Sequence, residues 1–179
     1  KKFLGLKYDI RHEILARLPI RNYWTTNFDT LIEDALKNTR ERRDVMTTND
    51  SFISAEERRD NVVYKLHGDI NTPQDIVILQ DDYKAYPKSH CNFKTALENE
   101  LATNSMLFLG YSFNDPDINN IIDILNLNGA SPQTHLLILK KEDIDKELAQ
   151  KYWIDEQEKR GIITCLIDEY TEIEEILKR

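Results

Sequence analysis

The sequence predicts an α/β fold with a mostly parallel, doubly wound sheet. Short apolar runs of strand length alternate with segments whose apolar residues recur at helical spacing. Strands separated by helices need crossovers, which make neighbouring strands parallel. Three of the apolar runs end in polar sequence, and a doubly wound sheet takes its ligand beyond the carboxyl ends of its strands.

The elements follow in order. An amphipathic stretch carrying Ile10, Ile14, Leu15 and Leu18 is closed by Pro19. An extended run from Asn22 to Thr26 leads to a helix whose apolar face is Phe28, Leu31, Ile32, Ala35 and Leu36. From Thr39 to Asn61 the chain is polar and charged, with Thr47 to Ser51 expected as a loop and Ala55 to Arg59 as a short helix. The run Val62-Val63-Tyr64-Lys65-Leu66-His67-Gly68-Asp69 reads as a strand ending at His67, where Gly68 allows the backbone to turn sharply. A turn at Asn71-Thr72-Pro73 precedes a short apolar run from Ile76 to Leu79 and a helix start at Asp81-Asp82-Tyr83.

Phe93, Ala96, Leu97, Glu100 and Leu101 mark another helix, and Met106 to Gly110 reads as a strand buried on both faces. Asp115 is placed to cap a helix that opens with Pro116 and Asp117, buries Ile118, Ile121, Ile122 and Leu125, and ends at Asn128-Gly129. A strand from His135 to Leu139, a long charged helix from about Glu142 to Arg160, a strand from Ile162 to Ile167 and a closing helix complete the chain.

Composition narrows the function. The 179 residues suit a single domain, and 40% hydrophobic residues suit an ordinary soluble one. With 24 Lys and Arg against 32 Asp and Glu, the net charge of -8 argues against a duplex-DNA binder, whose affinity comes from phosphate neutralisation. The cluster Arg40, Arg42 and Arg43 is then a solvated helix end. Cys91 and Cys165 lie far apart, which supports neither a disulfide framework nor a cysteine zinc site, so no metal and a reducing, cytoplasmic setting are expected. No apolar run approaches the ~20 residues of a membrane helix. The chain opens on Lys1-Lys2 without methionine, which suggests an N-terminally truncated portion of a larger protein.

The polar strand ends are Thr25-Thr26-Asn27-Phe28-Asp29, Leu66-His67-Gly68-Asp69 and Gly110-Tyr111-Ser112-Phe113-Asn114-Asp115. On one edge of a parallel sheet they would supply a titratable base in His67, polar groups in Thr26, Asn27 and Ser112, a carboxylate in Asp29, and helix N-termini suited to phosphate. That inventory suits a nucleotide with a reactive sugar. Each residue also has a structural reading. His67 could bond a neighbouring carbonyl, Asn27 and Asp29 could cap the next helix, Ser112 could serve a turn, and Lys140 and Lys141 could be a solvated strand end.

Taken together, the three segments resemble the sirtuin-like superfamily, in particular the bacterial sirtuin-like domains that hydrolyse NAD. Thr25 to Asp29, followed by Thr30-Leu31-Ile32-Glu33, looks like that family's Asn-x-Asp nucleotide segment. Leu66-His67-Gly68 looks like its catalytic histidine segment, and Phe108 to Ser112 like its glycine-serine strand end. The resemblance runs from about Asn22 to about Tyr170 and implies a Rossmann-like, NAD-binding fold. It implies His67 as general base, Asn27 holding the nicotinamide ribose or the attacking water, and Asp29 binding the nicotinamide amide or favouring the cationic sugar. Thr26 and Gly68 would line the nucleotide, Gly110 and Ser112 would lie against the phosphates and adenosine ribose, and Lys140 and Lys141 would edge the adenosine half.

Two departures shape the expectation. The family's glycine-rich phosphate loop is not in this sequence: among Gly5, Gly68, Gly110, Gly129 and Gly161, no two form Gly-x-Gly. That loop is expected upstream of Lys1, with this chain alone binding NAD weakly. The second departure is the missing four-cysteine zinc module of protein-deacylating sirtuins, which puts lysine deacylation behind NAD hydrolysis. By resemblance the chain is an NAD glycohydrolase domain of an antiphage, NAD-depleting effector that works as a homo-oligomer or with an additional domain. A deacylase, an ADP-ribosyl transferase or a non-catalytic nucleotide-sensing module are the alternatives.

Overall fold

The computed structural model describes residues 6–39, 42–53, 60–73, 76, 91–113, 115–127, 133–143 and 145–178. Strand pairing among them forms two three-stranded sheets, both wholly parallel and both flanked in sequence by helices, which is the α/β class expected. The chain divides into two compact units, residues 1–94 with 177–179, and residues 95–176.

In the first unit the strands β1 (Asn22–Thr25), β2 (Arg43–Met46) and β3 (Asn61–Lys65) lie in the order β1-β3-β2. All five residues of the central β3 are buried. On one face Val63 and Tyr23 share a core with Ala16 of helix α1 (Ile10–Arg17) and with Ala35 and Leu36 of helix α2 (Leu31–Leu36). On the other, Trp24 stacks on Tyr64 with ring centroids 4.0 Å apart. Phe52 of helix α3 (Asn49–Ile53) and Phe93 of helix α4 (Cys91–Thr103) meet edge to face beside that pair. The alternation of side chains along β3 therefore feeds two different cores.

Several boundaries differ from the sequence reading. Helix α1 is capped by Asp9, whose carboxylate accepts from the backbone of Arg11 and His12 while His12 Nδ1 accepts from Asp9 N. Its buried residue is Ala16, and Ile10 stays exposed. Helix α2 starts at Leu31 instead of Phe28, because Asp29 Oδ1 accepts from Leu31 N at 3.1 Å and turns the chain there. The polar stretch from Thr39 to Asn61 holds β2, and α3 overlaps the loop expected at Thr47 to Ser51. Strand β2 is an edge strand with Met46 its one buried residue, and backbone pairing to β3 sustains it. At α3, Ser51 Oγ accepts from Thr47 N and Thr48 N. The expectations at Ala55 to Arg59, beyond Ile76 to Tyr83, and at Asn128-Gly129 lie outside the described residues.

In the second unit β4 (Leu107–Leu109), β5 (His135–Lys140) and β6 (Ile162–Ile167) lie in that order, with helices α5 (Pro116–Leu127), α6 (Glu147–Lys159) and α7 (Glu172–Lys178) between and after them. Ile118, Ile121 and Ile122 of α5 are buried as their spacing predicts, and Asp115 Oδ1 accepts from Ile118 N as a helix cap should. Strand β4 is not buried on both faces. Phe108 is covered, but Leu107 is exposed, side by side with exposed Leu136 and Ile163 in the strand register, because β4 is a short edge strand with only one face covered. Helix α6 begins at Glu147 and not at Glu142. Ahead of it Gln150 bridges the chain, its Oε1 accepting from Glu142 N and its Nε2 donating to the Lys140 carbonyl.

Candidate active site at the end of the first sheet

Strand β3 stops at Lys65, and the next residues turn. Gly68 N donates to the Lys65 carbonyl at 3.3 Å, and Gly68 itself takes φ = +92°, a conformation that costs glycine little and other residues much. His67 lies half-buried inside that turn. Two backbone hydrogen bonds bind the turn to the end of β1: Leu66 N donates to Thr25 O and Ile70 N to Phe28 O, each at 2.9 Å. The segment carrying Thr26, Asn27 and Asp29 is thus fastened on both sides of His67. Asn27 is exposed at the tip, its backbone N–H held by Thr25 Oγ1 at 3.0 Å, and Thr26 is half-buried. Asp29 does not cap α2, whose N-cap residue is Thr30; its Oδ1 accepts from Leu31 N and closes the turn that leads into the helix.

Beneath this surface is a group that sequence reasoning missed. Lys65, read as one residue of an apolar run, is fully buried, and its ammonium meets Asp69 Oδ2 at 2.6 Å, Glu33 Oε1 at 2.9 Å, the Phe28 carbonyl at 3.2 Å and the Asp29 carbonyl. Three protons serve four oxygens, so one oxygen is held by charge alone. Glu33 Oε1, which has no aligned hydrogen bond among the described residues, is that oxygen. Asp69 is anchored further, its Oδ1 accepting from Asn71 N at 2.7 Å. A lysine set inside the apolar run Val62 to Leu66 was the available signal, since a buried ammonium requires paired carboxylates.

The second unit carries the glycine-serine strand end. Gly110 takes φ = +61° with open space where a Cβ would stand, and both Gly110 and Ser112 are exposed. Phe113, buried, also takes a positive φ, +54°, and is wedged among Phe108, Tyr111 and Trp153. Lys140 and Lys141 at the end of β5 are paired with the acidic turn after β6: Lys140 Nζ lies 2.8 Å from Glu169 and Lys141 Nζ 2.7 Å from Asp168. Those hydrogen bonds hold both amines above the usual lysine range. No group of three or more His, Cys, Asp or Glu among the described residues is arranged to hold a metal ion, and no described helix is long and apolar enough to cross a membrane.

In the first unit an imidazole in a fixed turn stands beside an exposed amide, and in the second Gly110 leaves its backbone open; each lies at the carboxyl end of a parallel strand, where α/β proteins take their ligands. Residues 21–162 match the SIR2-like domain family, and the chain belongs to it. It is 36% identical to the NAD(+) hydrolase ThsA of Bacillus cereus (strain MSX-D12), over 94% of this chain and 38% of that protein. Identity to the NAD(+) hydrolase ThsA of Acinetobacter baumannii (strain 532279) is also 36%, over 93% and 37%. The Defense-associated sirtuin 2 of Bacillus subtilis is 27% identical over 64% of this chain and 11% of that protein. The chain therefore spans less than two-fifths of the length of these relatives.

Proposed function

We propose that this chain belongs to an NAD glycohydrolase domain, and that the protein containing it cleaves NAD to nicotinamide and ADP-ribose. The observation that carries the reading is the pair of backbone bonds, Leu66 N to Thr25 O and Ile70 N to Phe28 O, which fasten the His67 turn to the Asn27 segment. The relatives named as NAD(+) hydrolases support the reaction, and the defence-associated relative supports an NAD-depleting antiphage role.

In this reading water attacks the anomeric carbon of the nicotinamide ribose. The glycosidic carbon–nitrogen bond breaks, its electron pair neutralises the nicotinamide ring nitrogen, and His67 takes the proton released by the water. Asn27 orients the ribose or the water. The carboxylate of Asp29, fixed at the start of α2, gains attraction as positive charge develops on the sugar. Thr26 lines the nucleotide, and Gly68, itself buried, shapes the turn that presents His67 to it. Gly110 and Ser112 take the phosphate and adenosine-ribose side, and Lys140 and Lys141 its outer rim. The reading carries with it NAD as substrate, no resident metal, a cytoplasmic setting, and assembly as a homo-oligomer or with a further domain. The reading takes residues 1–179 as a single sirtuin-like domain, and the SIR2-like family match over residues 21–162 supports it.

The test is nicotinamide release from NAD by the full-length natural protein and by its His67→Ala and Asn27→Ala variants, with and without an acylated peptide. Loss in both variants with peptide-independent wild-type turnover is expected. Peptide-dependent turnover would move the assignment to deacylation, and full activity of His67→Ala would remove the histidine from it.

A further inference from the structure

Lys65 has no exposed surface, so it cannot touch a nucleotide, yet its four oxygen partners come from three parts of the candidate site. The Phe28 and Asp29 carbonyls end the Asn27 segment. Glu33 lies in the first turn of α2. Asp69 lies in the turn that carries His67. A buried ion cluster is a weak source of stability, because apolar residues of similar volume fill such a place as well or better. Its distinctive property is direction: charge-assisted bonds fix distances between the pieces they join.

We propose that Lys65 is the positioning residue of this site, its ammonium setting the separation between the Asn27 segment and the His67 turn, with Glu33 and Asp69 holding the ammonium in place. The proposal deepens the NAD hydrolase reading and rests on it. Backbone bonds bring the two segments side by side. Lys65 adds a brace below them, drawing the two carbonyls that lead into α2 toward the carboxylate of Asp69. Loosening the brace shifts reacting groups without removing any of them, and a displacement of about 1 Å costs on the order of 100-fold in rate.

The deciding variant is the triple exchange Lys65→Met, Glu33→Gln, Asp69→Asn, which removes the cation without leaving carboxylates buried and unpaired. The amide that takes the place of the Asp69 carboxylate keeps an oxygen to accept from Asn71 N. In the full-length protein the expected result is a cooperative melt, kcat lower by about 100-fold and KM unchanged, since lost positioning acts on the transition state. Glu33→Gln alone keeps the ammonium and its two carbonyl bonds and is expected to lower kcat by a smaller factor.

A folded triple variant with wild-type kcat would overturn the proposal. If the triple variant does not fold, Glu33→Gln decides: unchanged kcat overturns the proposal, and reduced kcat at constant KM supports it. Failure of the underlying reading shows itself separately, as a wild-type protein that releases no nicotinamide or a fully active His67→Ala. In that event the proposal is judged by NMR. Shifted His67 imidazole and Asn27 amide signals in the variants support it, and unmoved signals overturn it.

Discussion

The side-chain amide of Asn119 donates to the carbonyl of Phe113 at 2.5 Å, and Phe113 is held with φ at +54°. Asn119 is itself gripped by Arg160, whose guanidinium contacts the Asn119 carbonyl and Oδ1 and pairs with Asp123 at 2.8 Å. A side chain on α5 and another just past α6 thus stabilise a backbone conformation unfavourable to a bulky residue. Asn119→Ala should lower stability by about 1–3 kcal/mol, since a buried carbonyl and an arginine each lose a partner. Urea unfolding followed by tryptophan fluorescence measures it, and an unchanged midpoint would show that aromatic packing alone holds Phe113.

Gly110 offers a cleaner separation of fold from function. Its positive φ makes alanine costly by about 1–2 kcal/mol, while the open space around the position means no clash within the chain. If a phosphate approaches this backbone, Gly110→Ala should weaken ADP-ribose binding well beyond what the stability loss explains. Calorimetry on the full-length protein decides it. Equal affinity in wild type and variant would take Gly110 out of the nucleotide site.

Lys140 and Lys141 are already occupied by Glu169 and Asp168. If they edge the nucleotide, Glu169→Gln with Asp168→Asn should free two cations, tighten ADP-ribose binding and steepen its salt dependence. Unaltered affinity at low salt would mark the lysines as a surface ion-pair cluster with no part in binding.

The pH dependence of stability has two separate windows. His135 is buried and its Nδ1 accepts from Met106 N at 3.2 Å. Burial lowers its pKa from 6.5, so the folded state keeps it neutral while the unfolded chain takes up a proton. Its contribution is complete above pH 6.5 and declines as the pH falls from there toward the lowered folded pKa. The hydrogen bond from Arg11, opposed by burial and assisted by His12, holds the Asp9 carboxyl below the usual 3.8, and Asp34 is lowered chiefly by its bond to Lys37. Those contributions are present above 3.8 and are lost only at more acid pH. His135→Gln should therefore flatten the decline in melting temperature between pH 7 and pH 5, and an equal decline in both proteins would refute the assignment.

Leu36 is almost wholly buried in the core beside Val63, and Leu36→Ala should cost about 2–5 kcal/mol. A loss below that range in urea unfolding would mean that the core under α2 closes around the missing side chain.

What was legible in the sequence had local causes. Asp115 and Pro116 announce α5 because capping is a short-range bond, and Ile162 to Ile167 reads as a strand because it is a short run of mostly β-branched and apolar residues. Strand β2 was illegible for the opposite reason. It opens with the charged Arg43 and Asp44, Met46 alone is buried, and it exists through pairing with β3, which periodicity does not register. At the site, the three strand-end motifs were readable, and so was a local bond for Asp29, which closes the turn ahead of α2. Lys65 was not, because Glu33 meets it only once α2 has folded back against β3.

The burial of Lys65 has a practical consequence for kinetics. Exposed amines such as Lys37 and Lys159 react with an acylating reagent in the native protein, whereas the Lys65 amine is out of reach until the first unit opens. Its rate of labelling, read by mass spectrometry, would time the opening of the His67 end of the sheet, and a ligand that closes that end would slow the clock.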